Sequence, residues 1–377
     1  MAPFGRAYGV ARDHRATINP VDLPPRPRLM AAVDVHGGWP GLLGRIADSS
    51  DLDRAQAQAA LADMLDDAAT PAQTAGFIVG LRIKGETVEE LTGLATAMLD
   101  VAEPLALPAD AVDIVGTGGS AHRRQHALNI STMACLVAAG AGATVCKHGN
   151  RRASSTSGAF DFLEAIGVGI ELTPEQLSEC VSTVGVGFAF ARTFHPTMRF
   201  VGPVRAELGI PTVFNVLGPL AHPGRIRRQV VGTATVELAE KMAGVLANLG
   251  RDRAWVVSGH GGLDELSLTG PTTVFDVGPD GINRHEIDPA DLGLTVVPSL
   301  DAIAGGDAAR NAELFQAILD GSERGARRDI VVLNAAAGLV VAGVSGSLTE
   351  AVAVAADSID SGAAREKLAA LVAFCQT

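Results

Sequence analysis

Short apolar runs that end at glycines alternate with longer segments of helical periodicity through most of this 377-residue chain. The strand-like runs lie at 112–115, 144–146, 212–216, 229–233 and 253–257. The helical segments between them include 133–142, 158–166 and 238–249. Strands that alternate with helices favour a largely parallel sheet covered by helices. The pattern therefore predicts an α/β domain with a mainly parallel sheet.

The first hundred residues have a helical pattern without strand-like runs. Thr70 and Thr87 stand three residues before Gln73 and Glu90, and this is the spacing of a capping box at a helix start. The sequence therefore predicts three or four short helices, which form a small N-terminal helical domain over residues 31–105.

A glycine-rich turn directly follows the first strand-like run. Gly116, Gly118 and Gly119 allow backbone N–H groups to approach a ligand with no side chain in the way. Because the chain has 43 glycines, a tight turn without a ligand is the simpler interpretation of these residues alone. The polar segments that follow them favour an anion-binding turn.

Polar side chains open the next helical segment. Asn129, Ser131 and Thr132 supply hydrogen-bonding groups at the point where a run of small apolar residues begins. A helix N-terminus favours phosphate through its free N–H groups and its dipole. An ordinary N-cap explains the same residues, so both interpretations stay open.

A basic and polar segment follows the second strand-like run. Lys147 offers a positive charge to a phosphate, Gly149 permits a sharp turn, and Ser154 and Ser155 add hydroxyls before the next helix. A solvated basic loop is the alternative, but such a loop does not need the glycine or the paired serines. With the two preceding segments, this one predicts a pocket for a phosphorylated sugar.

Two adjacent carboxylates, Asp264 and Glu265, follow a later glycine-rich turn and are flanked by leucines. In a loop both carboxylates can face one cavity, and Mg²⁺ prefers such oxygen ligands while it keeps waters and substrate phosphates. Acidic residues in the first turn of a helix are the alternative. Beside a phosphate pocket, the metal interpretation is favoured.

These segments together resemble the anthranilate phosphoribosyltransferase family. The shared motifs are GTGG at 116–119, NIST at 129–132, KHGNR with two following serines at 147–155, and LDEL at 263–266. They occur in the family's order, and the resemblance extends from about Leu42 to the C-terminus.

The resemblance implies the fold of the nucleoside phosphorylase/phosphoribosyltransferase class. A small helical domain would combine residues 31–105 with about 171–208. A larger α/β domain, which binds phosphoribosyl diphosphate, would combine 106–170 with 209–377. The family also suggests a homodimer that associates through the helical domain.

The resemblance further implies a role for each candidate residue. The donor-binding set is Gly116, Gly118, Gly119, Ser120, Asn129, Ser131, Thr132, Lys147, Ser154 and Ser155. The acceptor-binding set is Gly116, His148, Asn150 and Arg205. The metal-binding set is Ser131, Asp264 and Glu265, with Mg²⁺ as the cofactor. A guanidinium suits the carboxylate of an aromatic acceptor because the two groups can form two parallel hydrogen bonds.

The implied activity is transfer of a phosphoribosyl group from phosphoribosyl diphosphate to an aromatic amine, with release of diphosphate. Anthranilate, in tryptophan biosynthesis, is the first candidate acceptor. Positioning and electrostatics replace any catalytic nucleophile. The alternatives are a divergent paralogue with a retuned donor or acceptor, an enzyme like a nucleoside phosphorylase, and a non-catalytic paralogue that binds nucleic acid through the basic segment 122–126.

Composition restricts these choices. A formal net charge of -12 argues against general binding of nucleic acid or of an anionic membrane. The four cysteines are widely spaced, as is typical of a reducing cytoplasm, and no apolar run approaches the ~18 residues of a membrane span. Residues 1–30 are rich in arginine and proline, which predicts a disordered extension. The sequence therefore predicts a cytoplasmic enzyme that does not associate with membranes.

The chain departs from the family pattern directly after the GTGG turn. Ser120 stands where the family has aspartate, Ala127 stands where it has threonine, and the segment 120–128 is three residues longer than the family pattern. Arg123 and Arg124 lie in this longer loop. Two expectations stay open: the arginines replace part of the magnesium charge on the diphosphate, or the donor site is degraded or retuned for another phosphorylated sugar.

Overall fold

The computed structural model describes residues 32–118, 120, 128–151 and 156–376. The extension predicted at 1–30 and the loop arginines Arg123 and Arg124 lie outside these residues. So do three members of the predicted donor set, which are Gly119, Ser154 and Ser155.

Four helices form the N-terminal part of the described chain. They are α1 (Gly38–Ala47), α2 (Arg54–Leu65), α3 (Pro71–Lys84) and α4 (Val88–Asp100). Both predicted capping boxes are confirmed. The Thr70 and Thr87 hydroxyls each accept a hydrogen bond from the backbone N–H three residues later, and their own backbone N–H groups donate to the side chains of Gln73 and Glu90. Gly93 allows α2 and α4 to approach closely, since a Cβ there would lie 2.2 Å from the Arg54 carbonyl oxygen.

A seven-stranded sheet forms the centre of the remaining chain. Its strands are β1 (Val112–Gly116), β2 (Val145–Gly149), β3 (Val186–Phe190), β4 (Arg228–Gly232), β5 (Arg253–Ser258), β6 (Thr272–Gly278) and β7 (Gly281–Ile287). Their order across the sheet is β3-β2-β1-β4-β5-β6-β7. The first five strands are parallel, and β6 and β7 are antiparallel. The strand order reverses between β1 and β4, where a crevice for a ligand is expected at the carboxyl ends.

Eleven further helices in the described part of the chain accompany the sheet. They are α5 (Ile130–Gly140), α6 (Ala159–Ala165), α7 (Pro174–Val184), α8 (Ala191–Phe194), α9 (Gly202–Leu208), α10 (Phe214–Leu220), α11 (Val236–Asn248), α12 (Ala308–Leu319), α13 (Ala326–Ala342), α14 (Leu348–Asp360) and α15 (Ala363–Phe374). Short 3-10 turns occur at Asp34–His36, Pro196–Arg199, Pro289–Leu292 and Leu300–Ile303.

Helix α5 is almost completely buried in the core. Ten consecutive residues of it are buried, and it packs against both β1 and α13. On α13, Gly338 leaves room for Ile114 of β1, since a Cβ there would lie 2.3 Å from the Ile114 Cδ1 atom. The packing of α5 in the core therefore fixes the position of the polar residues at its start.

Two expectations from the sequence are wrong. The run at 212–216 is not a strand, because α10 begins at Phe214 and the Asn215 Oδ1 atom accepts a hydrogen bond from the Thr212 N–H at 2.9 Å. The alternation of strand and helix also fails after β5, where β6 and β7 form an antiparallel hairpin. Its two-residue turn is Pro279 and Asp280, residue types that reverse a chain locally.

The predicted fold class is confirmed, since a small helical part precedes a larger α/β part with a mainly parallel sheet. The division of the chain into two domains stays a prediction. Within residues 171–208, β3 joins the sheet whereas α9 packs against α3. No helix in the described ranges is long and apolar enough to cross a membrane.

Candidate active site

The carboxyl ends of β1 and β2 meet at a pocket of about 200 Å³. Eight of the predicted candidate residues line it, and they are Gly116, Gly118, Asn129, Ser131, Thr132, Lys147, His148 and Asn150. The pocket lies beside the reversal of strand order, where open α/β sheets bind ligands. The structure thus brings most of the described donor residues together with three of the four acceptor residues.

Helix α5 begins at this pocket without a side-chain cap. Asn129 occupies the N-cap position, but its side chain does not bond to the helix. Its Oδ1 atom instead accepts hydrogen bonds from Ser157 Oγ at 2.8 Å and Asn311 Nδ2 at 2.7 Å, and its Nδ2 donates to the Gly158 carbonyl at 3.2 Å. The ordinary N-cap interpretation is therefore wrong. Within the described residues, no side chain caps the first turn of α5, so its N–H groups can donate to a phosphate.

Lys147 is buried in the pocket wall, with 2% of its surface exposed. Its Nζ donates to the Ile114 carbonyl at 2.5 Å and to Ser131 Oγ at 3.3 Å. Burial raises the pKa of nearby Asp113 to about 6, although the Lys147 charge and a hydrogen bond from Gln229 act in the opposite direction. An ammonium group in so little water attracts an anion more strongly than an exposed one does.

Three histidines lie side by side behind the pocket. The ring centroid of His148 is 5.1 Å from that of His195 and 5.7 Å from that of His222. Burial lowers the pKa of all three, and that of His222 falls to about 3. They are therefore neutral at physiological pH.

The hydrogen bond of His148 determines its tautomer. Its Nδ1 atom lies 3.1 Å from the Gly218 carbonyl oxygen, which can only accept, so Nδ1 carries the proton. The Nε2 atom then has a lone pair, and no described residue donates to it. His148 lines the pocket, and its Nε2 atom is buried there.

The acidic turn lies directly behind the glycine turn. Asp264 and Glu265 are almost completely buried, and the Gly118 N–H donates to Asp264 Oδ2 at 2.6 Å. Two glycines make room for this turn, since a Cβ on Gly232 would lie 1.9 Å from the Asp264 carbonyl oxygen and one on Gly259 would lie 2.2 Å from that of Glu265. The acidic pair is therefore joined to the turn that lines the pocket.

The chemistry of the acidic turn fits Mg²⁺. Within the described residues, no three His, Cys, Asp or Glu side chains gather into a complete metal site. Mg²⁺ needs only one or two protein carboxylates, because waters and substrate phosphates complete its shell. Asp264 and Glu265 supply such a pair, and the Ser131 hydroxyl lies in the adjoining pocket.

Arg205 lies beside the pocket rather than in its lining. It stands on α9, which ends at Gly209 in the left-handed conformation with a φ of 63°. Its guanidinium carbon is 4.9 Å from the centroid of the Phe214 ring, and partial burial lowers its pKa. Phe214 begins α10, and the next residue, Asn215, does line the pocket.

Ser120 is also outside the lining, although it belongs to the predicted donor set. It is 1% exposed, and no described residue forms a hydrogen bond with its Oγ atom. Gly119, Ser154 and Ser155 lie outside the described residues, so their roles stay predictions.

Three residues of the site were not found from the sequence. Asn215 lines the pocket, and Ser157 and Asn311 hold Asn129 in place. Asn215 lies in the run that was interpreted as a strand. Asn311 is 182 positions from Asn129 in the chain, and no local motif marks it.

Two family profiles match this chain. The one described as the helical bundle domain of a glycosyl transferase family matches residues 40–102, and the one described as the a/b domain of that family matches residues 108–365. An anthranilate phosphoribosyltransferase of Rhodopseudomonas palustris is 47% identical over 88% of this chain and 97% of its own length. The chain belongs to the anthranilate phosphoribosyltransferase family.

Solved structures of the anthranilate phosphoribosyltransferase family share the fold. The enzyme of Thermus thermophilus has a TM-score of 0.83 and 41% identity, and the match covers 89% of this chain and 99% of the other. The Saccharomyces cerevisiae enzyme, in complex with phosphoribosyl diphosphate and Mg, has a TM-score of 0.82 and 27% identity over 92% of this chain and 99% of its own. The yeast enzyme has also been solved with 4-fluoroanthranilate.

Proposed function

We propose that this protein transfers the phosphoribosyl group of phosphoribosyl diphosphate to anthranilate and releases diphosphate, a step of tryptophan biosynthesis. The supporting observation is one pocket that is lined by the uncapped start of α5, the buried Lys147 and His148. The names of the relatives point to the same reaction.

In this proposal the donor phosphates lie against the glycine turn and the start of α5. Backbone N–H groups at these two places donate to phosphate oxygens, and Ser131 and Thr132 add hydroxyl groups. Lys147 adds a buried positive charge. These groups stabilise the negative charge that develops on the leaving diphosphate.

Asp264, Glu265 and Ser131 would hold Mg²⁺ at the edge of the donor site. Bound there, the ion would neutralise part of the charge on the diphosphate. Asp264 also has a structural role that does not depend on the ion. It accepts a hydrogen bond from the Gly118 N–H and so fixes the glycine turn.

The acceptor lies against Gly116, His148 and Asn150. An arylamine is neutral at physiological pH, so its nitrogen needs orientation more than it needs a strong base. His148 and Asn150 line the pocket and orient the amine so that its nitrogen faces the ribose carbon. Arg205 pairs with the acceptor carboxylate through two parallel hydrogen bonds.

Three further proposals concern the assembly, the domain organisation and the location of the protein. The resemblance supports a homodimer and the division into helical and α/β domains that the sequence predicts. The described cysteines are free, and most of them are buried, as suits a reducing cytoplasm. Nucleic acid is not a proposed partner, because the formal net charge is -12.

A second candidate function is transfer from a different phosphorylated sugar to the same acceptor. Ser120 favours it, because this residue stands where the family pattern has aspartate and its buried hydroxyl has no described partner. In that case the acceptor side of the pocket would keep its role and the donor side would be retuned.

Diphosphate release from phosphoribosyl diphosphate and Mg²⁺, measured with a panel of aromatic amines, tests the proposal. We expect release with anthranilate and much less with aniline, which lacks the carboxylate. Release from another pentose diphosphate, with none from phosphoribosyl diphosphate, would favour the second candidate. Absence of release from every donor would overturn both.

A further inference from the structure

A cavity with three arginines lies at the opposite edge of the sheet from the donor pocket. Its volume is about 250 Å³, and it lies before the first residues of β4 and β5, next to the end of α4. Arg225, Arg227 and Arg251 line it, and the other residues of its lining are uncharged. This arginine cleft shares no residue with the donor pocket, which lies at the carboxyl ends of the strands. The proposed reaction gives it no role.

Arg251 is a buried cation without a carboxylate in contact. It is 8% exposed, and its only hydrogen bond to a described residue runs from Nη2 to the Leu220 carbonyl, at the long distance of 3.4 Å. Asp113 is near enough to attract its charge, but within the described part of the chain Arg251 belongs to no ion pair. Buried charges are normally paired, because an unpaired one is costly to remove from water. An anion in the cleft would supply the missing partner.

One part of the Arg251 guanidinium is accessible to such an anion. The Nε atom is fully buried and has no partner, so it cannot contact a ligand. The Nη1 atom also has no hydrogen bond to a described residue, but unlike Nε it is not fully buried. Since Arg251 lines the cleft, Nη1 is the donor that a ligand there can reach.

Arg225 and Arg227 add two exposed guanidinium groups that carboxylates outside the lining hold in place. Arg225 Nη2 donates to Asp100 Oδ1 at 3.3 Å and to the Leu99 carbonyl at 3.0 Å. Arg227 donates to both carboxylate oxygens of Asp252 through Nε and Nη2. In both arginines Nη1 has no hydrogen bond to a described residue. The carboxylates therefore orient these side chains and leave one Nη1 group of each for a ligand.

The charges of the three arginines act on one another. Burial is the main reason that the pKa of Arg251 is lowered to about 10, and the Arg227 and Arg225 charges act in the same direction, against that of Asp113. All three arginines remain protonated at neutral pH. A bound anion would offset their repulsion, and a largely buried cation attracts it more strongly than an exposed one does.

We propose that the arginine cleft binds a small phosphate dianion, which is either inorganic phosphate or the phosphate group of a small sugar ester. Three guanidinium groups suit an ion with two charges and several acceptor oxygens better than they suit a single carboxylate. The cleft is smaller than the ~300–1,000 Å³ of usual small-molecule sites, which favours a small anion. The inference does not depend on the transferase reaction, because binding is measured without donor or acceptor.

Calorimetric titration of the full chain with inorganic phosphate, at fixed ionic strength, tests the site. Ribose 5-phosphate and acetate are titrated in parallel. The cleft variants are Arg251→Met and the double variant Arg225→Ala with Arg227→Ala, which keeps the test valid if Arg251→Met does not fold. Lys147→Met reports binding of phosphate in the donor pocket. Arg310→Ala is the matched control, because Arg310 is also an exposed, ion-paired arginine.

We expect saturable phosphate binding that each cleft variant weakens by at least about tenfold, the effect of losing a hydrogen bond to a charged group. Arg310→Ala and Lys147→Met should retain this binding, and acetate should bind more weakly. Tighter binding of ribose 5-phosphate would identify a sugar ester as the ligand, and the reverse order would identify free phosphate; both support the site.

Four results would overturn the proposal. They are absence of saturable phosphate binding at ~10 mM, unchanged affinity in either cleft variant, acetate that binds as tightly as phosphate, and loss of all phosphate binding in Lys147→Met. The last result would place the phosphate in the donor pocket alone.

Discussion

The donor side of the pocket is held by buried hydrogen bonds, whereas the acceptor side is divided between separate elements. On the donor side, Asn129 and Lys147 are each at most 2% exposed and bond to distant parts of the chain. On the acceptor side, Asn150 is exposed and Arg205 rests on Phe214, outside the pocket lining. Among the described residues, the predicted donor groups that line the pocket are therefore held in place without a ligand.

The difference between the two sides affects how much each must rearrange during the reaction. Groups that are fixed before binding cost little reorganisation when charge develops on the diphosphate. The Arg205 guanidinium lies over the Phe214 ring, and Arg205 is not part of the pocket lining. Among the described residues, the predicted acceptor groups are therefore less completely assembled than the predicted donor groups.

Removal of charge from the acidic turn is expected to have the largest effect. Asp264→Asn with Glu265→Gln keeps the shape and retains an oxygen that can accept from the Gly118 N–H, but it removes two carboxylates that suit Mg²⁺. We expect turnover at saturating Mg²⁺ to fall by at least about 100-fold. The thermal midpoint should change little, and unaltered magnesium dependence of the rate would exclude these residues from the site.

Arg205 tests the acceptor side alone. Arg205→Ala should weaken anthranilate binding by about 1.5–3 kcal/mol, the usual contribution of a hydrogen bond to a charged group. Arg205→Lys should recover only part of this loss, because an ammonium cannot form two parallel hydrogen bonds. Calorimetry should show unchanged affinity for phosphoribosyl diphosphate in both variants. Equal anthranilate affinity in all three proteins would refute the assignment.

Asn311 tests whether the donor side depends on its distant anchor. Asn311→Ala removes the 2.7 Å bond to Asn129 Oδ1 and should raise the KM for phosphoribosyl diphosphate by about tenfold, or roughly 1–2 kcal/mol. The anthranilate KM should remain near its original value. Asn283→Ala, on the exposed strand β7, is the control. A similar rise in both KM values would indicate a general structural role instead.

Substitution of Asp113 is expected to have the smallest effect, and this effect is on the stability of the fold. Its pKa is raised by burial to about 6, so the folded state holds this proton more tightly than the unfolded chain does. The resulting contribution to stability is full below about pH 4 and is lost as the pH rises through about 6. Asp113→Asn should therefore be more stable than the wild type at pH 7.5, by on the order of 1 kcal/mol, with no such difference at pH 4. A variant that is less stable at pH 7.5 would contradict this.

The local parts of this site could be predicted from the sequence because each lies on one short segment. Lys147 follows an apolar run that forms the first part of β2, and the start of α5 is marked by the polar residues before an apolar run. Both capping boxes follow from a three-residue spacing. Asn311 could not be predicted, since the fold brings it to Asn129 from a helix 182 positions away. Asn215 could not be recognised because the β-branched residues around it resemble a strand. In the structure it lies in the first turn of α10, and its side chain accepts a hydrogen bond from the Thr212 N–H.

The position of Arg205 could not be predicted for another reason. The sequence indicates correctly that it stands before the helix end at Gly209. Whether its side chain points into the pocket or onto Phe214 depends on packing between α9 and α10, which no pattern along the chain reports. The roles of Arg123 and Arg124 likewise stay predictions from the sequence.

Calorimetric titration with phosphoribosyl diphosphate in the absence of acceptor tests the preformed donor side most directly. The measurement is made with and without Mg²⁺ on the wild type and on the Arg123→Ala and Arg124→Ala variants. The account predicts saturable binding of one donor per chain without anthranilate. If the arginines replace part of the magnesium charge, some of this binding persists without Mg²⁺ and falls in both variants. Donor binding that appears only when anthranilate is present, or no donor binding under any of these conditions, would contradict the account.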